Sequence, residues 1–387
     1  MHVPGVRPGH FAGWRVFATL LILATLAGCS VPVRESPAAR SPYRVIGYDK
    51  AMGGEIQPRD VDRIDVLIFA FARVVDGNVV LDPSAQQRLA RRVALKHDHP
   101  RLKVVLSVGG WKAGGFSEAA ATPEGRERFA DSAVALMVAN KADGLDVDWE
   151  YPGHHESGIV SSPEDRAHFT LLLQTLRRAL DHAGDVDSHR GAGHYTLSIA
   201  AADGPFVSDV DIAATAASLD WVNLMTYDFV NSMTPYTGHH SGLNDSTIAP
   251  PDARSTAKAV QQFLAAGVPS HKLVIGAAFY GREFADVSPT DDGLYQPYGH
   301  YQGEHPWPQL KADFIDRNGF VRRWDAKAQA PYLWNAATRH FISYDDAQSL
   351  AAKARYVKAH RLGGIMYWEQ GEDPQGELLD AIWRGLQ

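Results

Sequence analysis

The sequence predicts an α/β protein: a (β/α)8 TIM barrel with a small α+β insertion after strand seven. From Tyr43 onward, apolar β-branched runs alternate with amphipathic helical stretches, the pattern of repeated βαβ units. Eight runs of this kind occur, each near-continuously apolar on at least one face, which fits a closed barrel better than an open sheet. The length of 387 residues, 45% of them hydrophobic, suffices for one barrel with an insertion.

The strands are read at Tyr43–Tyr48, Val66–Arg73, Lys103–Val108, Gly144–Glu150, Tyr195–Ala200, Trp221–Tyr227, Leu273–Phe279 and Gly364–Trp368. Three helices between them have readable starts. Asp82-Pro83 precedes Gln86–Leu95, Thr122-Pro123-Glu124 precedes Arg128–Ala139, and Ser162-Pro163-Glu164 precedes Ala167–Leu180. Each places an oxygen-bearing side chain before a proline that needs no N–H partner in the first turn. Val74–Val80 reads as a hairpin turned at Asp76-Gly77.

From Ala285 to Ser343 the alternation breaks, and no clean helix precedes the next barrel element at Tyr344–His360. The segment is rich in aromatics, among them Tyr295, Tyr301, Trp307, Trp324 and Trp334. A structureless loop this long is uncommon in a compact domain. Residues 285–343 are therefore expected to form an α+β subdomain, with Pro331–Trp334 and His340–Tyr344 paired.

The chemistry concentrates in Asp143-Gly144-Leu145-Asp146-Val147-Asp148-Trp149-Glu150-Tyr151-Pro152. Side chains on a strand alternate between faces, so Asp146, Asp148 and Glu150 share one face and Leu145, Val147 and Trp149 the other. In a barrel the apolar set meets the helical shell, and the three carboxyls climb the interior. Burying three carboxyls is costly and has no evident use to folding. Close carboxyls raise one another's pKa, so the one nearest the mouth can stay protonated and act as an acid. Barrel sites lie at the C-terminal ends of the strands, which puts Glu150 at the mouth and Asp146 deepest.

Composition narrows the alternatives. A formal charge of -7 carries no nucleic-acid footprint. His154-His155 and His239-His240 lack a carboxylate or third histidine at ligand spacing, so they read as solvated loops, and no metal or cofactor is expected. The single cysteine, Cys29, excludes an intramolecular disulfide. Arg7 and Arg15 precede an apolar run from Val16 to Leu26, too short to span a membrane but suited to a signal peptide. Leu26-Ala27-Gly28-Cys29 then resembles a bacterial lipobox. The expected organisation is a signal peptide at residues 1–28, a lipid-anchored tether at 29–42 and a catalytic barrel at 43–387. That implies export, a membrane partner through acylated Cys29, and a monomer.

Asp143, Asp146, Asp148 and Glu150 match the Asp-x-x-Asp-x-Asp-x-Glu pattern, and the chain resembles family 18 glycoside hydrolases from about Tyr43 to its C-terminus. Ser107-Val108-Gly109-Gly110-Trp111 resembles the family's strand-three motif, and Met225-Thr226-Tyr227-Asp228 its strand-six motif. Phe279-Tyr280-Gly281-Arg282 and Met366-Tyr367-Trp368-Glu369 match strands seven and eight. Two departures are Leu67-Ile68-Phe69-Ala70-Phe71-Ala72, which lacks the asparagine often seen entering strand two, and Gly47-Tyr48-Asp49, where many relatives have a second aromatic.

A retaining glycosidase that forms a covalent intermediate places its two carboxyls on opposite sides of the scissile bond, about 5 Å apart. Asp148 and Glu150 project from one wall, so Asp148 is badly placed to attack the sugar's far face. The resemblance implies the substrate-assisted route instead. Glu150 protonates the leaving oxygen while the substrate's own acetamido oxygen attacks the anomeric carbon. Asp148 holds the acetamido N–H, Asp146 tunes Asp148, and Tyr227 donates to the acetamido group. Trp368 forms the apolar floor, with Trp111, Met225, Asp228, Arg282, Tyr48, Tyr151 and Gly110 as further sugar contacts. The implied substrate is chitin or chitooligosaccharides. Two alternatives stand beside it: an endo-β-N-acetylglucosaminidase on glycoprotein or peptidoglycan sugars, and a catalytically silent chitin-binding lectin.

Overall fold

The computed structural model describes residues 41–50, 54–189 and 191–387. The lipobox, Cys29 and most of the tether lie outside the described residues. The barrel strands are β1 (Arg44–Asp49), β2 (Val66–Val75), β3 (Lys103–Gly109), β4 (Gly144–Asp148), β5 (Thr196–Ala201), β6 (Trp221–Leu224), β7 (Leu273–Ala278) and β8 (Gly364–Trp368). Each pairs in parallel with its sequence neighbours, and β1 pairs with both β2 and β8, which closes the barrel. The expected strands are all present; Gly364–Trp368 has the expected bounds, and no end of the others is shifted by more than three residues.

Alternation sorts the two sides of the wall. Leu145, Val147 and Trp149 face outward into the core between strands and helices, where Phe116 stacks on Trp149 at 5.2 Å and Phe169 meets its edge. Ile46, Ile68, Val105, Val274 and Met366 fill the inside. Strand pairing in β4 stops at Asp148, two residues earlier than expected, yet the alternation carries on through Trp149 to Glu150.

Asp82 caps the helix Pro83–Ala94 by accepting from the Ser84 and Ala85 N–H groups, and Thr122 caps Pro123–Ala139 through the Gly125 N–H. The third expected start is corrected: that helix runs Asp165–Val186 and has no side-chain cap. The buried Asp165 carboxylate accepts from Ser117 Oγ and the Ser162 N–H at 2.7 Å each, which fixes residues 162–164 as a turn before the helix. The hairpin forms as expected, with β2 antiparallel to Asn78–Val80 and Asp76 and Gly77 both left-handed.

After β7 the chain builds a five-stranded antiparallel sheet in the order His300–Pro306, Tyr280–Ala285, His340–Ser343, Ala330–Asn335, Val321–Asp325. Its first strand begins at Tyr280, ahead of the expected start at Ala285. Phe279 makes the transition: it stacks on Tyr367 at 4.3 Å, and its N–H donates to the Trp368 carbonyl. Of the aromatics read from the sequence, Tyr295, Tyr301 and Trp334 join Phe284, Tyr332 and Phe341 around Val230 and Val287, whereas Trp307 packs into the main core. Ala330–Asn335 and His340–Ser343 are paired strands.

Candidate active site

Three carboxyls rise along the inner face of β4 and the residues after it. Asp146, fully buried, lies in register with Ser107 on β3 and Ser198 on β5. Those serines donate to it at 2.7 and 2.6 Å, and Tyr48 and Asn223 add donors at 3.0 and 3.3 Å. Burial raises the Asp146 carboxyl, and these four hydrogen bonds oppose the rise.

Asp148 is in a different position. It is buried as well, and its Oδ1 has no hydrogen-bond partner. Burial first, then the charges of Glu150 and Asp146, pushes its carboxyl well above the usual range. Glu150 is half-buried at the mouth. Burial raises it to about 7; a hydrogen bond with Tyr151 opposes the rise and the charge of Asp228 adds to it. The site therefore holds an acid raised to about 7 above a buried carboxyl with one oxygen that lacks a hydrogen-bond partner.

Around these acids stand the other expected residues. Tyr227 is buried and donates weakly to Met366 Sδ at 3.9 Å. Burial and the charges of Asp148, Asp228 and Glu150 raise its phenol far above neutrality, so it remains a donor. Trp368 is half-buried, with Phe71 stacked at 5.8 Å and Tyr48 tilted at 5.9 Å. Met225 packs into the same interior cluster. Trp111 is 43% exposed, 6.3 Å from the Tyr151 ring, and Tyr151 lies 4.6 Å from Phe206. The strand-three glycines are required by close approach. A Cβ on Gly109 would sit 2.0 Å from the Asp148 carbonyl oxygen, and one on Gly110 (φ 96°) 2.7 Å from Phe71.

Asp228, in left-handed backbone, accepts from Arg282 Nε and Nη2 at 2.5 Å and from Tyr280 Oη at 2.7 Å. Burial alone would raise its carboxyl, but His240 and Arg282 hold it well below the usual range. Arg282 also donates to Tyr301 and pairs with Glu304.

Several expectations need correction. Tyr48, expected as a sugar contact, is 1% exposed and donates to Asp146. His239 and His240 are not solvated: both are buried where the long loop after β6 tucks under the insertion sheet. His239 Nε2 meets Asp325 at 3.1 Å, a partner 86 residues away that spacing in the sequence could not reveal. Asp143 lies at the opposite end of β4, bound by Lys96 Nζ and the Val104 N–H. The sequence reading assigned no role to Ser107, Phe71 or Tyr280, though they lie in quoted segments, and did not single out Ser198, Asn223 or Phe206. The small polar residues inside apolar β3, β5 and β6 were the available signal. Among the described residues no cluster of side chains is arranged to hold a metal ion.

The model for Glycosyl hydrolases family 18 matches residues 44–373. Chitinase A1 of Niallia circulans is 40% identical over 304 residues, 74% of this chain and 43% of that one, so the chain spans less than half of that relative. Chitinase B of Serratia marcescens is 32% identical over 364 residues, covering 78% of this chain and 71% of the relative. A solved glycoside hydrolase family 18 N-acetylglucosaminidase from Paenibacillus barengoltzii is similar at TM-score 0.84 and 43% identity, covering 89% of this chain and 99% of that one. The acid-bearing β4, the closed barrel and these matches agree: the chain belongs to family 18 of the glycoside hydrolases.

Proposed function

We propose that this enzyme is a chitinase, cleaving β-1,4 bonds between N-acetylglucosamine units by substrate-assisted retaining catalysis without a cofactor. The observation that carries the reading is the bare Oδ1 of buried Asp148 beneath a Glu150 raised to about 7. An acetamido N–H would satisfy that oxygen and turn the acetamido oxygen toward the anomeric carbon. Glu150 gives its proton to the leaving oxygen, then acts as base toward the water that opens the cyclic intermediate. Tyr227 steadies the acetamido group, and Trp368 carries the reactive sugar. Trp111, Tyr151, Met225, Asp228, Arg282 and the backbone at Gly110 line the cleft, with the 285–343 segment as one wall.

The 43% identity to an N-acetylglucosaminidase favours a second reading, release of single sugars from a chain end. The product profile of a labelled N-acetylglucosamine hexamer separates the two. Dimers and trimers among the first products support the chitinase; monomer alone supports the exo-enzyme.

The N-terminal sequence supports export and acylation of Cys29, which would anchor the barrel to a membrane. No helix among the described residues is long and apolar enough to cross one. Fractionation of cells making Cys29→Ala tests the anchor: the variant should leave the membrane, and a wild-type protein found wholly soluble would refute it.

A further inference from the structure

His240 is fully buried, and both its ring nitrogens lie out of contact with solvent and without a well-formed hydrogen bond. Its ring packs on Tyr280 at 5.3 Å, and its Nδ1 stands 3.5 Å from Asp228 Oδ1. At that separation the contact is longer than a good hydrogen bond, and a small ring rotation would close it. The backbone of His240 is tied on both sides: its N–H donates to Ser343 Oγ at 2.8 Å, and its carbonyl accepts from the Phe229 N–H at 3.1 Å. His240 therefore clasps the residue after Asp228 and joins the loop after β6 to the insertion sheet.

A buried imidazole left unpaired is costly, and Asp228 stands where the Nδ1–H can meet an acceptor. We propose that His240 is a positioning residue for the reaction: its Nδ1–H is the third donor to Asp228, beside Tyr280 and Arg282, and fixes the carboxylate that faces the cleft. The charged groups around the ring agree with a neutral donor. Burial lowers its basicity and the Arg282 cation opposes protonation, against the attraction of Asp228 and Asp345. Asp345 is already paired with buried Lys353 at 2.6 Å. Asp228 in turn raises Glu150, so His240 acts on the acid through Asp228 and touches no reacting atom.

The inference rests on the hydrolytic reading above, and the tests separate the two. Asparagine can place an N–H near the Nδ1 position, whereas glutamine reaches toward Nε2 and leucine offers no donor. His240→Leu and His240→Gln should lower kcat/KM on an aryl chitobioside roughly ten-fold or more, and His240→Asn should restore most of it. In an Asp228→Asn background, His240→Leu should cost nothing further. Equal losses in both backgrounds, or equal activity of the Asn and Gln variants, would overturn the inference. Wild-type protein with 15N-labelled histidine gives a readout independent of activity and of any variant. With His240 assigned through its bonds, Nδ1 should carry the proton and Nε2 should not. The opposite tautomer would refute the assignment even if the substrate reading holds.

Discussion

Asp146 and Asp148 lie two residues apart on one strand, yet Asp146 collects donors from four side chains while one oxygen of Asp148 has none. The lower carboxyl is satisfied by the fold and the upper one is not, which is why Asp148 is proposed to hold the acetamido group. Asp148→Asn keeps an acceptor oxygen but removes the carboxylate charge that would polarise the acetamido N–H. Turnover of a chitooligosaccharide should fall by roughly 10²-fold or more while the melting temperature holds or rises, because a carboxyl raised by burial is replaced by a neutral group. Retention of half the wild-type rate would refute the role.

Glu150 must carry its proton to act as an acid, so activity should be lost as pH rises through about 7. Asp228 contributes to that raised value, and Asp228→Asn should move the alkaline limb to lower pH. Linkage gives a second test with its own sign. A glutamate raised in the folded state favours folding when protonated, so stability falls as pH climbs from the ordinary glutamate range through about 7. Glu150→Gln removes that loss. It should be inactive at every pH and at least as stable as wild type at pH 8, measured by thermal unfolding.

The serines that hold Asp146 serve the strand and the site together. Ser107→Ala and Ser198→Ala each strip a donor from a buried carboxylate, costing roughly 1–3 kcal/mol in urea unfolding. Each should depress kcat more than it raises KM, since neither serine faces the cleft. An unchanged stability would mean that the other donors suffice.

Trp111, Tyr151 and Phe206 form a run of rings with Tyr151, the residue after Glu150, in the middle. Sugar faces stack on such rings, so Phe206→Ala should raise KM for a hexamer several-fold and barely alter a dimer derivative. Comparison of the two substrates checks it.

The barrel and its acidic strand were legible because both depend on local period. Alternation within Gly144–Glu150 assigns each side chain to a face without knowledge of any neighbour. What lay hidden depends on register between strands. Ser107 and Ser198 look unremarkable until β3 and β5 are laid beside β4, and only then do they flank Asp146. His240 was misread for the same reason. A histidine pair in a long polar loop looks solvated, and only the insertion sheet closing through Ser343 buries it. The start of the insertion was placed late because Tyr280–Ala285 follows β7 after a single residue, Phe279, so no loop separates the barrel strand from the first strand of the insertion sheet.

Substrate assistance requires the acetamido oxygen as nucleophile, held by Asp148 under Glu150. A well-placed intramolecular nucleophile contributes up to roughly 7–11 kcal/mol, so a sugar lacking it should be cut slower by many orders of magnitude. Mass-spectrometric sequencing of products from partially deacetylated chitosan tests this most directly. Every newly formed reducing end should carry an N-acetylated sugar. Glucosamine at those ends in more than trace amounts would contradict it.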